Sequence, residues 1–311
     1  DKLTLVCDAV LAPLAPWIEQ LVAESLGKHG KGLIPIIGER LETPDHYADD
    51  RVFVRLARVA GSAVKTDDPT TRELNALAAA GHPVVTLEVG PTLAAEFVRW
   101  SVATAVAGHV LGVNPFDQPD VEAAKHAARA LATEYEAHGT LQDDRPTVTS
   151  EGIALYLPAG ATRLTDAGAE AANVLGEFLA KVARRDYLAI LAFIEMNPTH
   201  DAVLATLRSR LRSELGIATT IGYGPRYLHS SGQLHKGGPE SGVFIIVTCD
   251  EGADLAVPGQ RATFGVVKLA QARGDFNALA SRGRRVLRVH VGADVRAGLR
   301  TFTRMIDRKP G

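Results

Sequence analysis

Three short stretches of the 311-residue chain carry side chains of the kind that move protons or hold anions. In WIEQLVAESLGKHGKG, Glu24 falls near the end of a helix-periodic run. It lies at the edge of the apolar stripe formed by Leu14, Trp17, Ile18, Leu21 and Val22 rather than opposite it. A carboxylate in that position either faces a cleft and serves as a base or sits on a solvated helix flank. In GVNPFDQPDVEAAK, Pro115 and Pro119 bracket a turn, so a helix is expected from near Pro119 with Asp117 or Gln118 at its cap. Val121, Ala124, Lys125 and Ala128 would share one face of it, and Lys125 either extends its ammonium to water or holds it at a site. In GYGPRYLHSSGQLHKGG, glycines, serines and His229 and His235 crowd between two strand-like runs, the composition of a binding loop.

Several chemistries find no support. His229 and His235 have no carboxylate or cysteine near them at metal-ligand spacing. A Gly-x-Ser-x-Gly nucleophile turn is missing, and Gly-x-Gly occurs only at Gly222 to Gly224, without the third glycine of a dinucleotide fingerprint. Lys28 and Lys31 stand among glycines and could hold an anion, although P-loop spacing is lacking. A net charge of −2 and no Lys/Arg block argue against a nucleic-acid partner. Cys7 and Cys249, the only cysteines, offer no disulfide framework, which fits a reducing cytosol and a cytoplasmic location. The longest apolar run, Trp100 to Val113, is too short to span a bilayer and contains His109, so it reads as a buried helix and no membrane partner is expected. No signal peptide is visible, and an opening on Asp1 rather than methionine points to a segment of a longer protein.

The elements that must position these residues alternate. Apolar strand-like runs at Leu3 to Cys7, Leu33 to Ile37, Arg51 to Leu56 and Pro83 to Val89 are interleaved with helical patterns, ending in a long helix over Leu93 to Val113. Polar Gly139 to Gly152 has the composition of a linker, and the domain boundary is expected there, giving domains 1–145 and 146–311. The second carries strands at Ile153 to Leu157, Tyr187 to Ile194, Ala218 to Tyr223, Gly242 to Thr248 and Val286 to Val291. Helices are expected at Ala167 to Ala183, Asp201 to Leu215 and Thr263 to Ala280. Such alternation predicts parallel sheets covered on both faces. The halves also repeat: NALAAAGHPVVTLEVG, from Asn75, aligns without gaps on NALASRGRRVLRVHVG, from Asn277, which argues for duplication.

GVNPFDQPDVEAAK closely resembles the C-terminal signature of glucose-6-phosphate isomerases, WIEQLVAESLGKHGKGLIP their catalytic-glutamate segment, and LHSSGQ their histidine segment. The longer forms look most like the isomerase part of bacterial bifunctional transaldolase/glucose-6-phosphate isomerases. The resemblance implies an α/β fold: a sugar-isomerase (SIS-like, flavodoxin-like) three-layer parallel sheet, followed by a second related α/β domain. It implies a cytoplasmic aldose-ketose isomerase acting on glucose 6-phosphate and fructose 6-phosphate, with a sugar phosphate as partner, no cofactor and no metal. Homo-oligomers or upstream domains of the same chain are further possible partners. Glu24 would be the base that moves a proton between C2 and C1, with Lys125 and His229 assisting ring opening. Gln118, Ser230 and Gln233 would contact substrate.

Two departures from the family pattern stand out. The histidine segment follows the lysine segment instead of preceding it, which points to a composite site in which His229 reaches Glu24 and Lys125 from the other domain or another subunit. His46, in PDHYADDR, has about the family's spacing from Glu24 and is the rival. The second departure is that the family's other sugar-isomerase domain, with its Ser/Thr-rich phosphate loop, has no counterpart here. That leaves a non-catalytic sugar-phosphate-binding or assembly module as the alternative to an enzyme.

Overall fold

The computed structural model describes residues 1–59, 68–141, 144–162 and 170–308, and of 121–128 only the backbone. The chain forms two compact units, one made of Asp1–Asp120, Gly216–Thr220 and His229–Ser241, the other of Val121–Leu215, Ile221–Leu228 and Gly242–Gly311. The expected boundary at 145/146 differs from this division in two ways. The chain passes between units at Asp120/Val121, and the loop from Gly222 to Gly238 is split, its histidine-bearing part grouping with the first unit. The polar stretch read as a linker holds strand Val148–Ser150, paired antiparallel with Ile153–Tyr156. Glu151 and Gly152, both at positive φ, form the turn between them.

In the first unit, β1 (Lys2–Cys7), β2 (Ile34–Ile36), β3 (Arg51–Arg58) and β4 (Val84–Val89) form a parallel sheet in the order β2-β1-β3-β4. This is the start of the flavodoxin-like order. Helix α1 (Ala15–Leu26) connects β1 to β2, α2 (Pro69–Ala79) connects β3 to β4, and α3 (Leu93–Leu111) follows β4. Ile18, Val22 and Leu26, one helical face of α1, are buried with Leu3, Leu5 and Leu56 of the sheet. Burying each such side chain stabilises by about 1.5–3 kcal/mol.

Helix α3 departs from the expected buried helix. Its buried face is Glu96, Trp100, Thr104 and Gly108, while Val98, Val102, Val106 and Val110 are exposed. No helix among the described residues is long and apolar enough to cross a membrane.

In the second unit, α4 (Val121–His138) leads through β5 (Val148–Ser150), β6 (Ile153–Tyr156) and α5 (Ala171–Leu179) to β7 (Tyr187–Phe193) and α6 (Pro198–Leu215), and β8 (Ala218–Tyr223) follows, its first three residues grouping with the first unit. After α7 (Gly232–Gly237), which belongs to the first unit, come β9 (Gly242–Thr248), α8 (Phe264–Ser281), β10 (Arg285–His290) and α9 (Val295–Ile306). The expected helix over Ala167 to Ala183 is shorter, and its residues 167–169 lie outside the described residues. The sheet runs β5-β6-β10-β9-β7-β8, with β9 parallel to both β7 and β10 and with β7 and β9 buried throughout.

The duplication read from one repeat extends to topology. Taken in chain order, β7, β8, β9 and β10 stand in the same 2-1-3-4 order as β1, β2, β3 and β4, with α6, α8 and α9 in the places of α1, α2 and α3. The aligned residues occupy equal registers, since Val84 stands opposite Phe53 and Val286 opposite Phe244. Even the helix ends match. Gly81 and Gly283 have φ of 95° and 70°, and the amides of His82 and Arg284 donate to the carbonyls of Leu77 and Leu279, each at 3.0 Å. This is the left-handed C-cap that glycine allows without a steric penalty.

Candidate active site

Helix α1 runs back from the carboxyl end of β1 toward its amino end, so Glu24 and the turn after it lie at the amino edge of the first sheet. Ligands of open α/β sheets usually bind at the opposite, carboxyl edge. A cavity of ≈ 460 Å³ lined by Leu5, Cys7, Ala15, Ile37 and Thr70 opens there. Burial, with the Asp8 charge beside it, pushes the Cys7 thiol up to about 11. Glu24 and the His229 segment lie at the other edge.

Glu24 is half-buried on the last turn of α1. One turn before it, the Gln20 amide donates to Glu24 Oε2 at 3.3 Å and to the carbonyl of His229 at 3.1 Å. The two segments expected to supply base and acid are therefore joined through Gln20, within the first unit. Sequence reasoning passed over Gln20. Its spacing four residues before Glu24, which puts both on one helical flank, is the signal that could have found it.

Beyond Glu24 the chain turns sharply. Helix α1 ends at Gly27, where a Cβ would collide with the backbone of Leu234 in α7. His29 and Gly30 take positive φ, and the Gly30 amide donates to the Gly237 carbonyl at 2.9 Å. Gly237 has the same need as Gly27, because a Cβ there would strike Asp120 Oδ2. The glycines of the histidine segment thus let α7 lie directly on the end of α1.

Lys28 and Lys31 do not form the anion site that their glycine-rich setting raised. Lys28 is fully buried, and its ammonium donates to the Asn114 carbonyl at 2.7 Å, to Asp117 Oδ1 at 2.9 Å and to the Asp117 carbonyl. Asp117, hydrogen-bonded to that ammonium, has its carboxyl held below the ordinary carboxylate range. Lys31 donates to the Leu111 carbonyl at 2.8 Å and so caps the end of α3. Together these lysines fasten the signature loop to the turn after Glu24.

Asp117 is therefore a loop-closing residue, and α4 begins at Val121 rather than at Pro119. Gln118 is exposed. The backbone of Lys125 lies in α4, in the second unit, and its side chain lies outside the described residues. His229 is exposed at the end of the turn Arg226–His229, and Ser230 is half-buried. Gln233 is fully buried. Its amide nitrogen donates to the Gly27 carbonyl at 2.8 Å and to Asp120 Oδ2 at 2.7 Å, while its oxygen accepts from the Asp120 amide at 3.0 Å. The rival His46 stands on the turn Pro44–His46, its Nδ1 2.9 Å from Thr43 Oγ1 and its Nε2 3.6 Å from Glu42. Among the described residues no group of three or more histidine, cysteine, aspartate or glutamate side chains could hold a metal ion.

No family model matches the chain. A hypothetical protein of Thermus thermophilus is a structural neighbour at TM-score 0.34 and 14% identity, covering 98% of this chain and 76% of that one. The C-terminal domain of a glucosamine-fructose-6-phosphate aminotransferase from Francisella tularensis is another, at TM-score 0.27 and 11% identity, covering 98% and 81%. The glucose-6-phosphate isomerase of Rubrobacter xylanophilus is 32% identical over 166 residues, covering 42% of this chain and 38% of that protein. The chain thus spans well under half the length of this relative, and over the aligned part it is homologous to a glucose-6-phosphate isomerase.

Proposed function

We propose that the chain carries the base and acid of an aldose-ketose isomerase that interconverts glucose 6-phosphate and fructose 6-phosphate through a cis-enediol. The observation that carries this reading is the Gln20 link between Glu24 and the His229 segment, with Gln20 and His229 separated by 209 positions in sequence. The aligned isomerase supports the same reading.

In this reading the Glu24 carboxylate takes the proton from C2 of the open-chain aldose and returns it to C1, while the proton on the C2 oxygen passes to the C1 oxygen. A positioned carboxylate of this kind contributes about 10²–10⁴-fold. His229, on the segment tied to it, delivers a proton to the ring oxygen during ring opening. By the resemblance, Lys125 would supply a positive charge that favours the developing enediolate, and Gln118 and Ser230 would contact the sugar phosphate. The chain would act as part of a longer, transaldolase-fused protein that brings a phosphate-binding loop.

Incubation with fructose 6-phosphate in deuterium oxide tests this. The enediol route incorporates solvent deuterium at C1 of the ketose and C2 of the aldose, and Glu24→Gln abolishes the incorporation. Fructose 6-phosphate bound by this chain or its longer parent without any exchange would instead mark a sugar-phosphate-binding module.

A further inference from the structure

Gln233 stands where a substrate contact is expected from the histidine segment, yet its side-chain amide is engaged on both sides by the protein. It is 0% exposed. Its nitrogen donates to the carbonyl of Gly27, three residues after Glu24, and to the carboxylate of Asp120, the last residue before α4. Its oxygen takes the Asp120 amide. One side chain four residues from His229 therefore registers the end of the Glu24 helix, the end of the signature loop and the histidine segment.

We infer that Gln233 is a positioning residue, which fixes His229 and Glu24 relative to each other without touching substrate. The inference rests on the isomerase reading above. Glutamine suits this place for a stated reason. The Gly27 carbonyl and the Asp120 carboxylate both accept, the Asp120 amide donates, and among uncharged side chains only an amide offers two donors and a carbonyl acceptor. Glycines at 27 and 237 are the backbone counterpart, since both let the partners come this close.

The test uses Gln233→Glu, Asp120→Asn and the double variant in the full chain. A glutamate at 233 sets a second carboxylate against Asp120 and has no donor for Gly27 while ionised. Gln233→Glu is expected to lower kcat by about 100-fold, the scale of a small misplacement of reacting groups, with KM within about threefold of wild type. Lower pH restores part of the activity, because a protonated glutamate donates again. The Asp120→Asn partner change restores about tenfold, because the asparagine amide can donate to the glutamate and the like-charge pair is gone.

Hydrogen exchange of segments 20–28 and 226–238 is read in parallel and needs no activity. It accelerates in Gln233→Glu and is slowed again in the double variant. A raised KM at unchanged kcat, or no rescue by Asp120→Asn in either readout, overturns the positioning role and makes Gln233 a substrate contact or a mere packing residue. If the wild-type protein isomerises nothing, the functional reading fails on its own, and a rescue seen in exchange then identifies a purely structural clamp and overturns the catalytic positioning.

Discussion

Lys28 is the residue whose removal is felt most directly at the signature loop. Replacing it with methionine keeps most of the buried volume but takes the donor from two backbone carbonyls and from the Asp117 carboxylate. Charged hydrogen bonds of this kind are worth about 1.5–3 kcal/mol, so Lys28→Met is expected to lower the thermal midpoint by several degrees and to speed hydrogen exchange over residues 114–117.

Asp68 carries a second residue-scale prediction. Burial pushes its carboxyl up, but the Thr71 hydroxyl and amide and the Arg55 guanidinium outweigh that and hold it down to about 2. The folded value lies below the unfolded one of about 3.9. Its contribution is therefore present above about pH 4 and lost as pH falls through about 2. Thermal melts of wild type and Asp68→Asn should differ at pH 7 and converge toward pH 2. An unchanging gap would show that the Arg55 pair is not the source.

At the scale of elements, the repeated helix ends offer a matched pair. Gly81 and Gly283 each sit at positive φ with open space where a Cβ would go. Alanine at either position costs only backbone strain, about 1–2 kcal/mol, and the two variants should lose similar amounts in urea titrations. Gly27→Ala differs, because φ there is ordinary and the loss is a collision with Leu234. It should displace the histidine segment and lower activity more than stability.

Strands and helices were legible where apolar periodicity was strong, as in β7, β9 and α6. Helix α9, absent from the elements expected from sequence, has a regular pattern all the same: Val295, Leu299, Phe302 and Met305 recur at helical spacing on its buried face. Helix α3 misled because its valines form the outer face while Glu96 and Thr104 turn inward. Of the candidate site, Glu24 and the histidine loop are the parts expected from sequence. Gln20, Lys28 and Gln233 were not read in the roles they take, because those roles depend on partners 86 to 209 residues away.

At the scale of the whole molecule, the first unit is discontinuous, and this bears on any truncation. A fragment ending at 145 keeps Glu24 and the signature loop but lacks residues 216–220 and 229–241, which belong to the same unit. It would expose the packing surface of Leu234 and leave the Gly27 carbonyl and Asp120 without the Gln233 clamp. Such a fragment is expected to be much less stable than the full chain and unable to isomerise, as circular dichroism melts and activity would report. The 2-1-3-4 topology recurs in both sheets, while the first unit is completed by residues 216–220 and 229–241 from later in the chain.

Conversion of fructose 6-phosphate to glucose 6-phosphate, coupled to glucose 6-phosphate oxidation, tests whether Glu24 and His229 act as one catalytic pair. Wild type, Glu24→Gln, His229→Ala and His46→Ala would be compared in the full chain. Losses of about 10²–10⁴-fold are expected in the first two variants, with near wild-type turnover in His46→Ala. Near wild-type turnover in His229→Ala would overturn the pairing, and loss in His46→Ala beside it would assign the role to His46.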